Sequence, residues 1–173
     1  MRHSGAMPHK DTAHPDLAAS ATCRACERLA SSSPPPRDRV ATTGRWQVAH
    51  AFNANLEGWC VALPTRHVES LDELDDQETE ELGPLLRGVT AALRATVGCE
   101  KTYVLLLAES EGFHHVHFHV VPRGAALAPE FVGPRIFGML NNPEKDVVAT
   151  ERMDELALGI RANLVAAGVA RAG

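Results

Sequence analysis

Residues 115–123 read HVHFHVVPR, and this stretch decides how the chain folds. Histidines alternate with apolar residues along it, and a period of two is typical of a β-strand. We therefore predict the three imidazoles on one face of the strand and Val116, Phe118 and Val120 on the other. At about 3.3 Å per residue, neighbouring histidines stand roughly 6.6 Å apart, close enough to handle one small anion or metal ion together.

Imidazoles held on a rigid strand suit attack on a phosphorus centre. The ring is largely neutral at pH 7, yet it becomes a cation once it is bonded to phosphate. His117, the middle histidine, is the candidate nucleophile, and a backbone carbonyl near it is expected to fix its tautomer. Two other interpretations remain open, a metal-binding ridge of histidines and a solvated strand without a role.

Length and composition favour one ordinary globular domain. The chain has 173 residues, of which 45% are hydrophobic and 23% are charged, and it contains no internal repeat. Residues 1–16 lack periodicity and are predicted to be a disordered N-terminal tail, which leaves residues 17–173 as the single domain.

Charge and hydropathy restrict the partners and the location. A net charge of −5 argues against general binding to nucleic-acid backbones, so the expected partner is a small molecule. No apolar stretch is long enough for a membrane span or for the core of a secretory signal. The four cysteines do not resemble a secreted disulfide framework, and a cytoplasmic location is expected.

The remaining chain predicts an α+β fold. A hairpin is expected from strands at 45–52 and 59–63, and a long helix capped by Asp75 or Asp76 should end at Gly98. Within that helix, Gly83-Pro84 should cause a bend or a restart. The apolar run 102–107 predicts a central strand beside the histidine strand, and a last helix is expected to be capped by Thr150. The architecture is then an antiparallel sheet of about five strands with two main helices.

The motifs resemble those of the histidine triad (HIT) superfamily. Residues 115–121 fit its pattern of three histidines separated by apolar residues, and Pro122-Arg123 is common after it. Residues 61–67, VALPTRH, resemble the superfamily's strand that ends in Pro-x-x-His. Cys23 and Cys26 resemble the Cys-x-x-Cys of many bacterial members. The resemblance covers about residues 20–125 and implies a HIT-like fold.

The resemblance also implies an activity. A HIT-type enzyme is a nucleotidyl hydrolase or transferase that acts at the α-phosphate of a nucleotide conjugate, such as a phosphoramidate or a dinucleoside polyphosphate. His117 would attack phosphorus and form a nucleotidyl-histidine intermediate, and His119 would donate to the phosphoryl oxygens. His115 would supply the backbone carbonyl that orients His117. Superfamily members are commonly homodimers, so a homodimer is expected.

A structural zinc ion is the implied cofactor. Two thiolates on one tight turn provide half of a tetrahedral site. In zinc-containing members of the superfamily, the positions of His67 and His115 complete the set begun by Cys23 and Cys26. Alone, the cysteines could equally be a redox pair or inert thiols. The metal would pin the N-terminal segment to the sheet.

Several positions depart from the superfamily pattern. Ala51 occupies the position of an aspartate that holds ribose, so Asn53 or Asn55 is the nearby candidate for that contact after a shifted turn. Glu111 stands where a glutamine is usual, and a carboxylate there repels phosphate unless it is protonated or turned away. Ser110 and His114 are candidates to protonate the leaving group. Arg123 is a candidate anion contact, although a structural salt bridge fits it equally well.

These departures leave two alternative functions open. The first is a nucleotide-binding or regulatory protein on the same fold, with weak or no catalysis. The second is a metal-dependent enzyme that uses all three histidines at an open metal site.

Overall fold

Five strands form one antiparallel sheet with the order β1-β2-β3-β5-β4. A computed structural model describes residues 23–171, so the predicted tail at 1–16 lies outside the described residues. The strands are β1 (Ala41–Thr42), β2 (Trp46–His50), β3 (Cys60–Pro64), β4 (Lys101–Leu106) and β5 (Phe118–Arg123). The helices are α1 (Arg24–Leu29), α2 (Asp76–Val97) and α3 (Thr150–Ala166). The predicted α+β fold, with five strands and two main helices, is confirmed.

Helix α2 begins and ends at the residues that the sequence indicates. The side chain of Asp75 accepts a hydrogen bond from the backbone N–H of Glu78, and the Glu78 carboxylate accepts one from the backbone of Asp75. Gly98 ends the helix with a φ of +67°, a conformation that glycine adopts without strain. The helix runs through Pro84 without interruption, so of the expected bend or restart the restart does not occur.

The first position of α3 differs from the prediction. Thr150 is the first helical residue, and the capping position is held by Ala149, whose methyl group cannot accept a hydrogen bond. The buried face of α3 nevertheless follows the apolar period, since Met153, Leu156, Ile160 and Leu164 are all buried. Packing of this face holds the helix in place without a side-chain cap.

The sheet has a different core on each face. On one face, α2 and α3 cover a cluster that includes Trp46, Phe118 and Val120. On the other face, Trp59 and Val121 pack with the segment of 3₁₀ turns at Gly133–Met139. Because side chains alternate along a strand, this second face is also the one that carries His119.

Two strand predictions need correction. Residues 102–107 were expected to form a central strand, but β4 lies at the edge of the sheet and pairs with β5 alone among the described strands. The run 102–107 is apolar although it is not buried on both faces. Val104 in β4 is 44% accessible, and Leu107, just after the strand, is 58% accessible. Strand β5 begins only at Phe118, so His115 and His117 lie in the segment before it, which is not paired in the sheet.

Within residues 23–171, no helix has both the length and the apolar character needed to cross a membrane.

Candidate active site

His117 lies at the entrance to β5 with one ring nitrogen already engaged. Its Nδ1 is 2.7 Å from the backbone oxygen of His115. A carbonyl can only accept, so Nδ1 carries the proton and Nε2 keeps its lone pair. Burial lowers the pKa of His117, although the hydrogen bond to the carbonyl opposes the effect. The ring is therefore a neutral imidazole with a free nucleophilic nitrogen.

His119 lies beside His117 on the same face. The two ring centroids are 4.8 Å apart, and Phe137 also packs against His119, with its ring centre 5.0 Å away. The indole Nε1 of Trp59 donates to Nδ1 of His119 at 3.0 Å. Burial, together with the neighbouring His117, lowers the pKa of His119 to about 3. His119 is thus also neutral at physiological pH.

Both rings open onto one cavity of about 570 Å³. This volume lies in the range of small-molecule sites. Among the described residues, the Nε2 atoms of His117 and His119 have no hydrogen-bond partner. Every buried side-chain nitrogen or oxygen of the described residues does have a partner, so these two atoms are not buried. Both Nε2 atoms are therefore reached by solvent. The cavity presents one acceptor and one donor side by side.

Most of the predicted binding residues lie on this cavity. Asn53 lines it from the hairpin loop, and Ser110 and Glu111 line it from the loop before the triad. Ala51 also lines it, so the position expected for a ribose-binding carboxylate offers only a methyl group. His114 is exposed and is not among the described residues that line the cavity.

Arg123 lies away from the cavity. Its guanidinium forms an ion pair of 3.0 Å with Glu100. Strand β5 runs outward from the histidines, and four residues at about 3.3 Å each place Arg123 roughly 13 Å beyond His119. Arg123 is not among the described residues that line the cavity, and its ion pair with Glu100 fits the alternative of a structural salt bridge.

His115 turns away from the other two histidines and meets the cysteines. Its Nδ1 lies 3.8 Å from the Sγ of Cys23 and 3.5 Å from that of Cys26. The Nδ1 of His67 lies 3.3 Å from the Cys26 sulfur. These four ligand atoms are all within 4.8 Å of one another. The three histidines therefore do not form a common ridge, because His115 belongs to a second cluster.

The four donors have the spacing of a tetrahedral zinc site. Bonds of about 2.3 Å to sulfur and about 2.0 Å to nitrogen separate a sulfur from a nitrogen by about 3.5 Å. The three observed S···N distances, from 3.3 to 3.8 Å, bracket that value. The group fits zinc in both donor chemistry and size.

The remaining ring nitrogens support the same set of ligands. His115 Nε2 lies 3.0 Å from the backbone oxygen of Pro64, which fixes the proton on Nε2 and directs the Nδ1 lone pair at the sulfurs. His67 Nε2 contacts the Glu69 carboxylate at 3.3 Å. Burial lowers the pKa of His115 to about 4, so that ring stays neutral, as a ligand must. Burial and the adjacent Cys23 raise the pKa of Cys26 to about 12, and a bound cation would reverse that effect.

Several cavity residues carry no signal in the sequence. Arg24 and Arg28 reach the cavity from α1, a helix that the sequence did not predict. Phe52 stacks on Phe113 at the same cavity, with ring centres 5.9 Å apart. Trp59 was recognised only as part of an apolar strand. Each of these contacts joins segments distant in sequence, and no local pattern indicates them.

Solved structures with the same architecture come from histidine triad proteins. A zinc-bound histidine triad family protein from Mycobacterium smegmatis superposes with a TM-score of 0.63 at 15% identity, over 84% of this chain and 96% of that one. A hypothetical histidine triad nucleotide-binding protein from Sulfolobus tokodaii gives 0.64 at 18% identity, over 83% and 93%. The chain has the histidine triad fold. The resemblance seen in the sequence motifs is thereby confirmed at the level of the fold.

A third histidine triad structure is similar over a smaller part of the chain. The protein from Sinorhizobium meliloti superposes with a TM-score of 0.61 at 24% identity, over 73% of this chain and 88% of that one. No protein-family model and no curated protein matches by sequence. At these identities the histidine triad fold is what the comparisons establish, and the activity has to be argued from the site.

Proposed function

We propose that this protein is a nucleotidyl hydrolase or transferase that uses His117 as a covalent nucleophile. The observation that carries the proposal is the 2.7 Å hydrogen bond from His117 Nδ1 to the His115 carbonyl. That bond places the lone pair on Nε2, which opens onto the cavity. A neutral imidazole held in this way attacks without first losing a proton. The substrate class is a nucleotide conjugate, either a phosphoramidate or a dinucleoside polyphosphate.

The proposed reaction has two displacements at the α-phosphorus. The Nε2 lone pair of His117 forms a P–N bond while the bond from phosphorus to the leaving group breaks, and the leaving group takes a proton. Water then attacks phosphorus and returns a proton to the group that protonated the leaving group, the P–N bond breaks, and the nucleoside monophosphate leaves with His117 neutral again. His119 stabilises the charge on the phosphoryl oxygens through its Nε2–H. Ser110, which lines the cavity, is better placed than His114 to protonate the leaving group.

The electrostatics of the cavity favour a leaving group without several phosphates. Glu109 and Glu111 line it together with Arg24. Asp38 and Arg28 neutralise each other in an ion pair of 3.0 Å, so the acidic side chains of the lining exceed the basic ones by one. Like charges repel a polyphosphate, whereas a P–N linked amine brings no extra negative charge. We therefore rank the phosphoramidate above the dinucleoside polyphosphate.

Turnover of a short substrate panel tests the function. Adenosine 5′-phosphoramidate, diadenosine triphosphate and adenosine monophosphate would be incubated with the protein, and products would be separated by chromatography. We expect release of adenosine monophosphate from the phosphoramidate, and slower release from the diadenosine compound. Tight binding of nucleotides without any turnover would instead favour the nucleotide-binding or regulatory alternative. The departures from the superfamily pattern at Ala51 and Glu111 support that alternative.

We also propose that the second cluster holds one structural zinc ion. Cys23, Cys26, His67 and His115 would be the ligands, with no position left for substrate. The ion would tie α1 to the sheet, since Cys23 and Cys26 bracket its first turn and His115 precedes β5. Two observations support this proposal, the S···N spacing and the zinc in the related Mycobacterium smegmatis fold. A metal-dependent reaction at three histidines is disfavoured because His115 faces the thiols.

The exposed edge of β4 supports a homodimer. The strand pairs only with β5 among the described strands, and Val104 is 44% accessible on it. Unpaired strand edges with apolar side chains readily pair with another chain. We propose that two copies pair through β4 about a two-fold axis.

Substitution of Val104 tests the dimer. Val104→Lys would bury a positive charge opposite the same charge of the second copy. We therefore expect the Kd of the dimer to rise by at least about 10-fold. Light scattering after size-exclusion chromatography measures the mass. Val147→Lys is the control, because Val147 is similarly exposed, at 46%, and lies outside the strand. A wild-type mass of one chain, or equal dissociation of both variants, would contradict the proposed interface.

A further inference from the structure

A buried tryptophan donates a hydrogen bond to the second histidine of the cavity. Trp59 is fully buried, and its Nε1 lies 3.0 Å from Nδ1 of His119. The two rings meet edge to face, with centroids 5.8 Å apart and planes at 85°. Trp59 precedes β3, and Val61 of β3 pairs with His119 of β5, so the sheet register holds the two side chains together.

The hydrogen bond has only one possible direction. An indole N–H donates and has no lone pair to accept, so Nδ1 of His119 must be the acceptor. The proton of the neutral ring is therefore on Nε2, the nitrogen that is reached from the cavity. If the tautomer reversed, two N–H groups would face each other inside a buried pocket, and the indole would lose its partner.

This arrangement gives the two cavity histidines opposite tautomers. His117 has its proton on Nδ1, because a carbonyl accepts there, and His119 has its proton on Nε2, because an indole donates to the other nitrogen. One Nε2 can attack, and the neighbouring Nε2–H can donate. With both rings in the same tautomer, the pair would lack either its nucleophile or its donor.

No other described contact sets the tautomer of His119. Its other aromatic neighbours are the rings of Phe137 and His117, which pack against it at 5.0 and 4.8 Å between centroids. Aromatic packing restricts where the ring lies but does not distinguish a proton on Nδ1 from one on Nε2. The Trp59 indole is the contact that makes this distinction among the described residues.

We propose that Trp59 is a positioning residue that keeps His119 in the neutral Nε2–H tautomer, directed at the phosphoryl oxygens. The catalytic part of this inference rests on the proposed function, whereas the tautomer itself does not. Trp59 touches neither substrate nor reacting atoms in this role. It acts through His119, much as the His115 carbonyl acts through His117.

The chain supplies a matched control for the test. Trp46 is also fully buried, and its indole N–H also donates one hydrogen bond, of 2.9 Å, to the backbone oxygen of Glu78. Trp46→Phe and Trp59→Phe therefore remove the same donor and leave similar cavities. Only Trp59→Phe removes the partner of a cavity histidine.

Two measurements on both variants test the proposal. Nitrogen-15 spectra of histidine-labelled protein report the tautomer of each ring, and the His119 signals are assigned with His119→Gln. Wild type and Trp46→Phe should show only the Nε2–H form for His119, and Trp59→Phe should show a mixture. Turnover of adenosine 5′-phosphoramidate should fall about 2- to 10-fold in kcat for Trp59→Phe, with little change in KM, because the donor to the transition state is present only in the fraction of molecules that keeps the Nε2–H form.

Three results would overturn the inference. His119 could stay entirely in the Nε2–H form in Trp59→Phe, its tautomers could mix without a change in kcat, or Trp46→Phe could lower kcat equally. If wild type has no turnover at all, the proposed function fails, and the spectra still decide whether Trp59 sets the tautomer.

Discussion

We expect His117→Ala to lower nucleotide release by roughly 10⁴-fold or more in kcat, because no other group at this position would form the proposed covalent bond. His119 cannot replace it, since its Nε2 carries a proton and its Nδ1 faces Trp59. The measurement is single-turnover release of adenosine monophosphate from adenosine 5′-phosphoramidate. Binding of adenosine monophosphate to the variant should change by less than about 10-fold, because the ring contributes little to ground-state affinity.

His114, three positions before His117, provides the control for this loss of turnover. His114 is exposed and lies outside the described lining of the cavity. His114→Ala should keep turnover within about 3-fold of wild type if Ser110 protonates the leaving group. Substantial turnover by His117→Ala would remove the covalent mechanism. A large loss in His114→Ala would instead assign the proton donor to His114.

We expect the double substitution Cys23→Ser/Cys26→Ser to abolish zinc binding and to lower stability. Wild type should contain about one zinc ion per chain by elemental analysis, and the variant should contain none. Loss of the ion releases α1 from the sheet and costs on the order of 3 kcal/mol, which lowers Tm by roughly 6 to 12 °C in a chain of this size. Differential scanning calorimetry with and without a chelator measures the difference.

A third cysteine separates loss of metal from loss of packing. Cys99 is buried and lies outside the four-residue cluster. Cys99→Ser should keep the full zinc content and should lose no additional stability on treatment with a chelator. Wild type that melts at the same temperature with and without the chelator, and that carries no zinc, would contradict the proposed metal site.

Local patterns were sufficient to predict the main elements. The alternation in HVHFHVV indicated a strand with an apolar face, and Asp75 and Gly98 marked both ends of α2. These signals are local because period and capping depend on residues a few positions apart. The Cys-x-x-Cys turn and His67 were also recognisable, since the resemblance to histidine triad proteins linked them.

Tertiary contacts account for what the sequence could not predict. The apolar run of β4 indicated burial on both faces, yet an edge strand with an exposed side has the same composition. The period of the histidines placed all three on one face, but β5 begins at Phe118, and the unpaired approach lets His115 turn to the cysteines. The role of Trp59 depends on a contact across 60 positions, which no pattern in the sequence reports.

Covalent trapping at His117 tests the central claim most directly. Wild type would be mixed briefly with adenosine 5′-phosphoramidate, and the reaction would be quenched in alkali. The mass of the intact protein would then be measured by mass spectrometry, and the modified peptide would be identified by peptide mapping. We predict one added adenylyl group, on the peptide that contains residue 117, stable to alkali and lost in acid. Steady release of adenosine monophosphate from wild type with no adduct, or an adduct that persists in His117→Ala, would contradict a bond between this imidazole and phosphorus.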